Sequence, residues 1–161
     1  MGSRKRRIVL LSGLAVLVAA VAMPALSSGA ATLLEARLKG SEEVPGPGDP
    51  NAHGDAQVTL KKKKKKVCFT LEYRRVDGGP TAGHIHKGVE GVAGEIKVEL
   101  FEVNQPLPEE GAVEGCERDV KRKLIRKIKR HPERFYVNVH SPDYPDGAIR
   151  GQLELPPGNN N

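Results

Sequence analysis

Three of the five histidines occur at spacings that could serve metal chemistry. His84 and His86 flank the apolar Ile85, and His140 ends the alternating segment 135–140. Residues i and i+2 of a strand project from the same face, so His84 and His86 would point the same way. Three imidazoles suit zinc or copper and leave one coordination position open. We therefore expect His84, His86 and His140 to converge on one site.

A structural network is the other use of these rings. Each ring would then hydrogen-bond to Asn138, to Arg150 or to a backbone group, with the two side chains as the first candidates. We favour this network, because a motif without known geometry is a hypothesis only, and we keep zinc or copper as the alternative. In either case the loop 141–147 and Arg150 would form the rim of the site.

Other kinds of catalytic site find no support in the sequence. It has no Gly-x-Ser-x-Gly nucleophile elbow, no P-loop, and no carboxylate pair spaced for acid–base work. The glycines at 88, 91 and 94 lack the Gly-x-Gly element of a dinucleotide fingerprint and the helix that must follow it. We assign no catalytic and no organic-cofactor residues, and we lean towards a protein that is not an enzyme.

The histidines must be positioned mainly by β-strands. Apolar and polar residues alternate with a period of two, which is typical of half-buried strands. We predict strands at 32–39, 55–60, 67–75, around 83–86, at 95–102, 135–140 and 148–155. Two Pro- and Gly-containing stretches, 41–54 and 104–115, are predicted loops, and His53 in the first is expected to be solvated.

One short helix is predicted between Asp119, as its N-cap, and Pro132, which ends it. Four apolar residues fall on one stripe of that helix, and seven basic residues cover the rest. We expect the stripe to cap one end of the sheet, with contact to a membrane or polyanion as the alternative. The stripe consists of Val120, Leu124, Ile125 and Ile128.

Three motifs carry a family resemblance: Gly83-His84-Ile85-His86-x-Gly88, Tyr136-Val137-Asn138-Val139-His140-Ser141, and Gly147-Ala148-Ile149-Arg150-Gly151-Gln152-Leu153. They resemble the CHRD domain, which is named for chordin and occurs in many secreted bacterial proteins. The resemblance spans about residues 32–155. It implies an all-β, immunoglobulin-like antiparallel β-sandwich with a distant likeness to copper/zinc superoxide dismutases. It implies no settled activity, because the family as a whole has none.

Residues 1–31 have the pattern of an export signal. Arg4–Arg7 are basic, Ile8–Met23 is an uncharged apolar run, and residues 24–31 are small enough for a cleavage site. The apolar run is shorter than the ~20 residues that a membrane helix needs, so a cleaved signal is expected and a retained N-terminal anchor is the alternative. We expect Ala31 or Thr32 at the mature N-terminus, a domain over 32–155, a disordered tail over 156–161, and a secreted or cell-envelope protein without a membrane span.

Removal of this signal would change the charge balance. The chain has 26 basic and 20 acidic residues, and four of the basic but none of the acidic ones lie in residues 1–31. The mature chain would therefore carry 22 basic against 20 acidic residues, a net charge of only +2. General attraction to polyanions is correspondingly weak.

Cys68 and Cys116 are the only two cysteines. In an exported chain they are expected to form a disulfide. The bridge would tie the third predicted strand to the loop before the helix and hold the helix over the sheet.

A run of six lysines falls where the second and third predicted strands must turn. Such a run is usually solvated, and adhesion to an anionic polymer is the alternative. No aromatic residue is interleaved to stack on bases, so we expect no specific nucleic-acid binding. The run consists of Lys61, Lys62, Lys63, Lys64, Lys65 and Lys66.

Three function classes follow from these patterns. The first is a secreted binding or structural module whose partner is an extracellular protein or a cell-envelope polymer. The second is a metal-binding or redox protein with a dismutase-like histidine site, and the third is a polyanion-adhesive surface protein. The sequence names no ligand.

Overall fold

The computed structural model describes residues 31–158, and within them the chain forms eight β-strands, one α-helix and three 3₁₀ turns. The predicted signal, apart from Ala31, and the last three residues of the predicted tail lie outside the described residues. The strands are β1 (Thr32–Lys39), β2 (His53–Lys61), β3 (Lys66–Arg74), β4 (Ala82–Lys87), β5 (Glu95–Glu102), β6 (Gly111–Glu117), β7 (Phe135–His140) and β8 (Ile149–Gln152), and the helix α1 is Arg122–Arg130.

All eight strands belong to one antiparallel sheet in the order β5-β4-β7-β8-β1-β2-β3-β6. The join between its two halves is narrow. β1 pairs with β8 only at Lys39 and Arg150, and an isolated bridge connects Glu35 with Glu154. The sheet folds over at this join, so that each half covers the other. The prediction of an all-β antiparallel fold with one helix is confirmed.

The core lies between the two halves of the sheet. Alternation along each strand sends one set of side chains inward, as with Leu34, Ala36 and Leu38 of β1, which are at most 1% exposed. Phe69 of β3 and Phe101 of β5 meet across the core with ring centroids 6.2 Å apart. The helix closes one end, as predicted, because its buried residues Ile125 and Ile128 pack on the same core.

Several predicted boundaries were wrong. The predicted loop 104–115 contains most of β6, an edge strand whose exposed residues hide the alternation. Asp119 is not the N-cap: its φ is +58°, Val120 is buried behind it, and Lys121 precedes the helix. His53 is solvated but begins β2 rather than lying in the loop. The last strand, β8, is shorter than predicted.

The predicted disulfide between Cys68 and Cys116 is present. Its surroundings differ from the prediction, because Cys116 lies on β6 directly opposite Cys68 on β3. The bridge therefore staples the edge strand to its neighbour and does not hold the helix.

Among residues 31–158, no helix combines the length and apolarity that a membrane crossing requires.

Candidate metal centre

The polar face of strands β4, β7 and β8 carries the three histidines. Ile85 points into the core with no exposed surface, which turns His84 and His86 to the opposite face. In the register of β4 and β7, Ala82 lies beside His140, so that His140 is a diagonal neighbour of His84. Alternation and register together bring two separate motifs onto one patch of sheet.

The three histidines converge, as predicted. One ring nitrogen from each lies within 4.8 Å of the corresponding nitrogens of the other two. The ring centroids are 5.0 Å apart for His84 and His140, 5.6 Å for His84 and His86, and 6.0 Å for His86 and His140. His86 is only 8% exposed, while His84 and His140 are half-buried.

In two of the three rings, a hydrogen bond to a backbone carbonyl determines which ring nitrogen keeps its lone pair. Nδ1 of His86 lies 2.9 Å from the carbonyl oxygen of Gly94, and Nδ1 of His140 lies 2.9 Å from that of Pro145. A carbonyl can only accept, so both Nδ1 atoms donate, and each neutral ring keeps its lone pair on Nε2. This is the usual arrangement of metal-binding histidines, whose second nitrogen donates to a carbonyl or carboxylate.

Three buried nitrogens of the cluster have no hydrogen-bond partner among the described residues. They are Nδ1 of His84, Nε2 of His86 and Nε2 of His140. Buried polar atoms without partners are uncommon and destabilising. Within residues 31–158 the same holds for Oε1 of Glu43, Oδ1 of Asn138 and Nη1 of Arg150, and the histidines supply one such nitrogen from each of three neighbouring rings. Among the described residues, Asn138 and Arg150 bind none of the three rings, so those predicted partners were wrong, whereas the predicted backbone partners are present at His86 and His140.

The pKa of each histidine in the cluster is lowered. Burial is the main cause at His84, where it brings the pKa to about 4, with smaller contributions from His140 and His86. Burial also lowers the pKa of His86 and of His140, against the opposing effect of their bonds to carbonyl oxygens. All three rings are therefore neutral at pH 7, and only a neutral imidazole can bind a metal ion.

Tyr136 and Arg150 support His86 from below. The Tyr136 ring stacks on that of His86 at 4.9 Å and 13°, and the Arg150 guanidinium carbon lies 3.5 Å from the centre of the Tyr136 ring. The Tyr136 hydroxyl accepts a 3.0 Å hydrogen bond from the backbone N–H of Gly94. This N–H belongs to the residue whose carbonyl holds His86, so one glycine connects the stack to the cluster.

The loop 88–94 is held over this face by further hydrogen bonds. Arg150 donates through Nη2 to the carbonyls of Val89 and Val92, at 2.9 and 3.1 Å. Gln152 donates to the carbonyl of Gly88 at 2.8 Å. Gly94 has to be glycine, because a Cβ there would lie 1.8 Å from the carbonyl oxygen of Lys87. Arg150 is therefore a buried support, 1% exposed, and not the rim that the sequence predicted.

Glu43 is a functional candidate that the sequence analysis missed. It is 6% exposed and accepts a 3.3 Å hydrogen bond from the side-chain nitrogen of Asn138, the strand neighbour of His84. Burial raises its pKa to about 7, although attraction to Arg150 and the bond from Asn138 act in the opposite direction. A glutamate in a loop rich in proline and glycine is expected to be solvated, so the sequence did not mark Glu43 as buried.

The six lysines lie apart from the histidine cluster. They form the turn between β2 and β3, as predicted, with a 3₁₀ turn over Lys62–Lys64 and Lys65 in the left-handed region at φ +53°. They lie beside α1, where Arg122 donates to the carbonyl of Lys63.

Comparison with known proteins agrees with the three motifs. No curated protein and no solved structure matches the chain. The family model of the CHRD domain matches residues 34–153, which include all three histidines and most of the chain. The chain belongs to the CHRD domain family.

Proposed function

We propose that this CHRD domain is an exported binding module that holds a zinc or copper ion through His84, His86 and His140. One observation carries the proposal: three histidine rings converge, and within residues 31–158 each has one buried nitrogen without a hydrogen-bond partner and a pKa lowered mainly by burial. Two of these rings are oriented by backbone carbonyls in the way that metal-binding histidines usually are.

The structural network that we favoured from the sequence is less well supported by this geometry. A network that served stability alone would satisfy the buried nitrogens, because an unpartnered buried polar atom costs about 1–3 kcal/mol. Here one nitrogen of each ring is left over, and the three lie close together. A shared cation would satisfy all three at once.

The ring nitrogens need to move only a short distance towards one another to bind one ion. Zinc–nitrogen bonds are about 2.0–2.1 Å long, so two nitrogens bound tetrahedrally to one ion lie about 3.3 Å apart. One ring nitrogen of each histidine lies within 4.8 Å of a ring nitrogen of each of the other two. Small rotations of the rings would close this difference and leave the fourth position open to water or to another ligand.

Metal titration of the purified chain tests the proposal. After treatment with chelator, the protein is titrated with Zn²⁺ and separately with Cu²⁺ in a calorimeter. We expect one ion per chain, and at least a 100-fold weaker affinity in His84→Ala, His86→Ala and His140→Ala, since each removes one of three ligands.

His53→Ala is the matched control, because His53 is an exposed histidine on β2 outside the cluster. It should bind metal like the parent protein. The proposal fails if the parent binds no stoichiometric ion, or if His86→Ala binds as tightly as His53→Ala. A loss of stability in His86→Ala that is the same with and without chelator would favour the structural network.

Two finer expectations belong to the same proposal. The superoxide-dismutase-like sandwich implied by the family resemblance supports a redox role, and the rate of superoxide loss with copper-loaded protein against His86→Ala tests that role. Export is supported by the signal pattern of residues 1–31. N-terminal sequencing of the exported protein should begin at Ala31 or Thr32, whereas an intact Met1 would contradict cleavage.

A further inference from the structure

We propose that a second site, the basic face formed by Lys61–Lys66 and residues 121–130, binds a linear polyanion that carries phosphate or sulfate groups. The two segments are 55 residues or more apart in the chain, and each taken alone reads as a solvated charge run. The fold makes them one surface, and this site is independent of the histidine cluster.

Positive charge in residues 32–161 is concentrated in the basic face, and negative charge lies elsewhere in the chain. Of the 22 basic residues in 32–161, 13 belong to the basic face, and neither of its segments contains an acidic residue. The rest of that chain has nine basic against 20 acidic residues. The small net charge of +2 therefore conceals a concentrated positive patch on an otherwise acidic molecule, and such a patch attracts polyanions by local charge.

Backbone contacts hold the two segments together. The N–H of Val120, just before the helix, donates to the carbonyl of Lys65 at 3.0 Å. The Arg122 side chain reaches the carbonyl of Lys63 at 3.5 Å. The turn between β2 and β3 and the start of the helix are thus fixed relative to each other, and their cations share one orientation without further folding.

A cavity of about 210 Å³ lies between the turn and the helix. Lys62 and Lys63 line it from the turn, and Arg126 and Lys129 line it from the helix. All four are exposed. These four cations surround one recess from two sides and form a binding site for a phosphate or sulfate group. The remaining lysines extend the positive surface towards neighbouring groups of a polymer.

The cations of the basic face are not neutralised within the protein. Among residues 31–158, none of them lies within 4.0 Å of a carboxylate oxygen, while the ion pairs found there involve Lys97, His131 and Arg134. Like charges at this density repel one another, and an anionic ligand would relieve that repulsion.

A membrane surface fits this face less well than a polymer. An interfacial helix needs an apolar side to bury among lipids. In α1 the apolar side faces the protein: Ile125 and Ile128 are buried, and Leu124 packs against the same core. Only charge is presented outward, which suits a soluble polyanion.

Titration with long-chain inorganic polyphosphate tests the proposal, at salt concentrations between 50 and 300 mM. The first variant is Lys62→Gln/Lys63→Gln, the second is Arg126→Gln/Lys129→Gln, and the third combines all four changes. Arg37→Gln/Arg74→Gln is the control, because it removes two exposed positive charges elsewhere on the sheet. All of these side chains are exposed, so we expect unfolding midpoints close to that of the parent.

We expect each double variant on the basic face to lower the affinity at least tenfold at 150 mM salt, and the control to change it less than twofold. The logarithm of affinity should fall linearly with the logarithm of salt, and each double variant should reduce that slope by about 1.5, at 0.7–0.9 per lost phosphate contact. The fourfold variant should show the losses of both doubles together, because each phosphate contact contributes its own share of counterion release.

Three results would overturn the proposal. The first is no polyphosphate binding by the parent, and the second is an equal loss in the control, which would mean that only net charge matters. The third is tighter binding to vesicles of phosphatidylcholine with 30% phosphatidylserine than to polyphosphate at equal salt, which would assign the face to membranes.

Discussion

Tyr136 has two roles at the histidine cluster, and removal of its hydroxyl oxygen separates them. Its ring stacks on His86, and its hydroxyl accepts the hydrogen bond from the N–H of Gly94. Tyr136→Phe keeps the stack but leaves that N–H without its acceptor. We expect unfolding free energy to fall by about 1–2 kcal/mol. Metal affinity should fall about tenfold, because Gly94 also orients His86.

Urea unfolding and calorimetric metal titration measure both effects of Tyr136→Phe. Tyr144→Phe is the control, since the hydroxyl of Tyr144 makes no hydrogen bond within residues 31–158. Unchanged metal affinity in Tyr136→Phe would show that Gly94 does not position the ring of His86.

Glu43 gives the stability of the fold a pH dependence with a definite sign. Its pKa is about 7 in the folded chain against 4.5 for an ordinary glutamate. Between pH 4.5 and pH 7, the folded state therefore binds this proton more tightly than the unfolded state does. This contribution to stability is fully present below pH 4.5 and is lost as the pH rises through 7. Glu43→Gln should remove that loss, because its amide stays neutral.

Urea unfolding of parent and Glu43→Gln at pH 5, 6, 7 and 8 tests this expectation. Taking the difference between the two proteins cancels the titration of the histidines, which is common to both. The difference should grow in favour of the variant up to about pH 7, with a slope of at most about 1.4 kcal/mol per pH unit, and then level off. Parallel curves would show that the folded and unfolded carboxyls titrate alike.

At the scale of residues, the sequence could predict which side of a strand a histidine occupies but not what the second ring nitrogen meets. Strand periodicity alone puts His84 and His86 on one face. The carbonyls of Gly94 and Pro145 belong to loops, where no periodicity indicates the direction of a carbonyl. For the same reason the burial of Glu43 could not be predicted, because it depends on how a Pro-rich loop folds over the sheet.

The disulfide at the sheet edge allows the attachment of one strand, β6, to be tested separately. Cys68 and Cys116 close a chain segment with a separation of 48 residues, and they join β3 to the edge strand β6. Replacing both by alanine should lower the unfolding free energy by at most roughly 4 kcal/mol in the chain-entropy model. Urea unfolding measures this loss, and reduction of the parent protein should give a similar one. Two free thiols in the native protein would rule the bridge out.

At the scale of elements, the sequence could predict the strands with a clear pattern of apolar residues but not the edge strand β6. β1, β5 and β7 have the predicted bounds: β1 and β5 alternate between buried and more exposed residues, whereas β7 is buried along nearly its whole length. β6 lies at the edge with only Val113 and Gly115 partly buried, so the signal that marks a strand is nearly absent there. The helix starts late because Val120 is buried before the first turn.

At the scale of the whole molecule, metal binding should raise global stability by mass action. A ligand at 100 times its dissociation constant adds about 2.7 kcal/mol if it binds only the folded state. We expect a gain of this size for the parent and for His53→Ala at that excess of Zn²⁺, measured by urea unfolding. His86→Ala should gain much less. An equal gain in all three proteins would place the bound metal outside the cluster.

The carbonyl contacts of the cluster also have a consequence for local opening. His86 joins β4 to the loop 88–94 through Gly94, and His140 joins β7 to the loop 141–147 through Pro145. Opening of either loop breaks this hydrogen bond or turns the ring with the loop, and an ion that held both rings would prevent the second route and slow the opening of both loops together. Trypsin can sample this motion at Lys87, at the entrance of the first loop. Zinc should slow cleavage there in the parent, and the rate in His140→Ala should be the same with and without zinc.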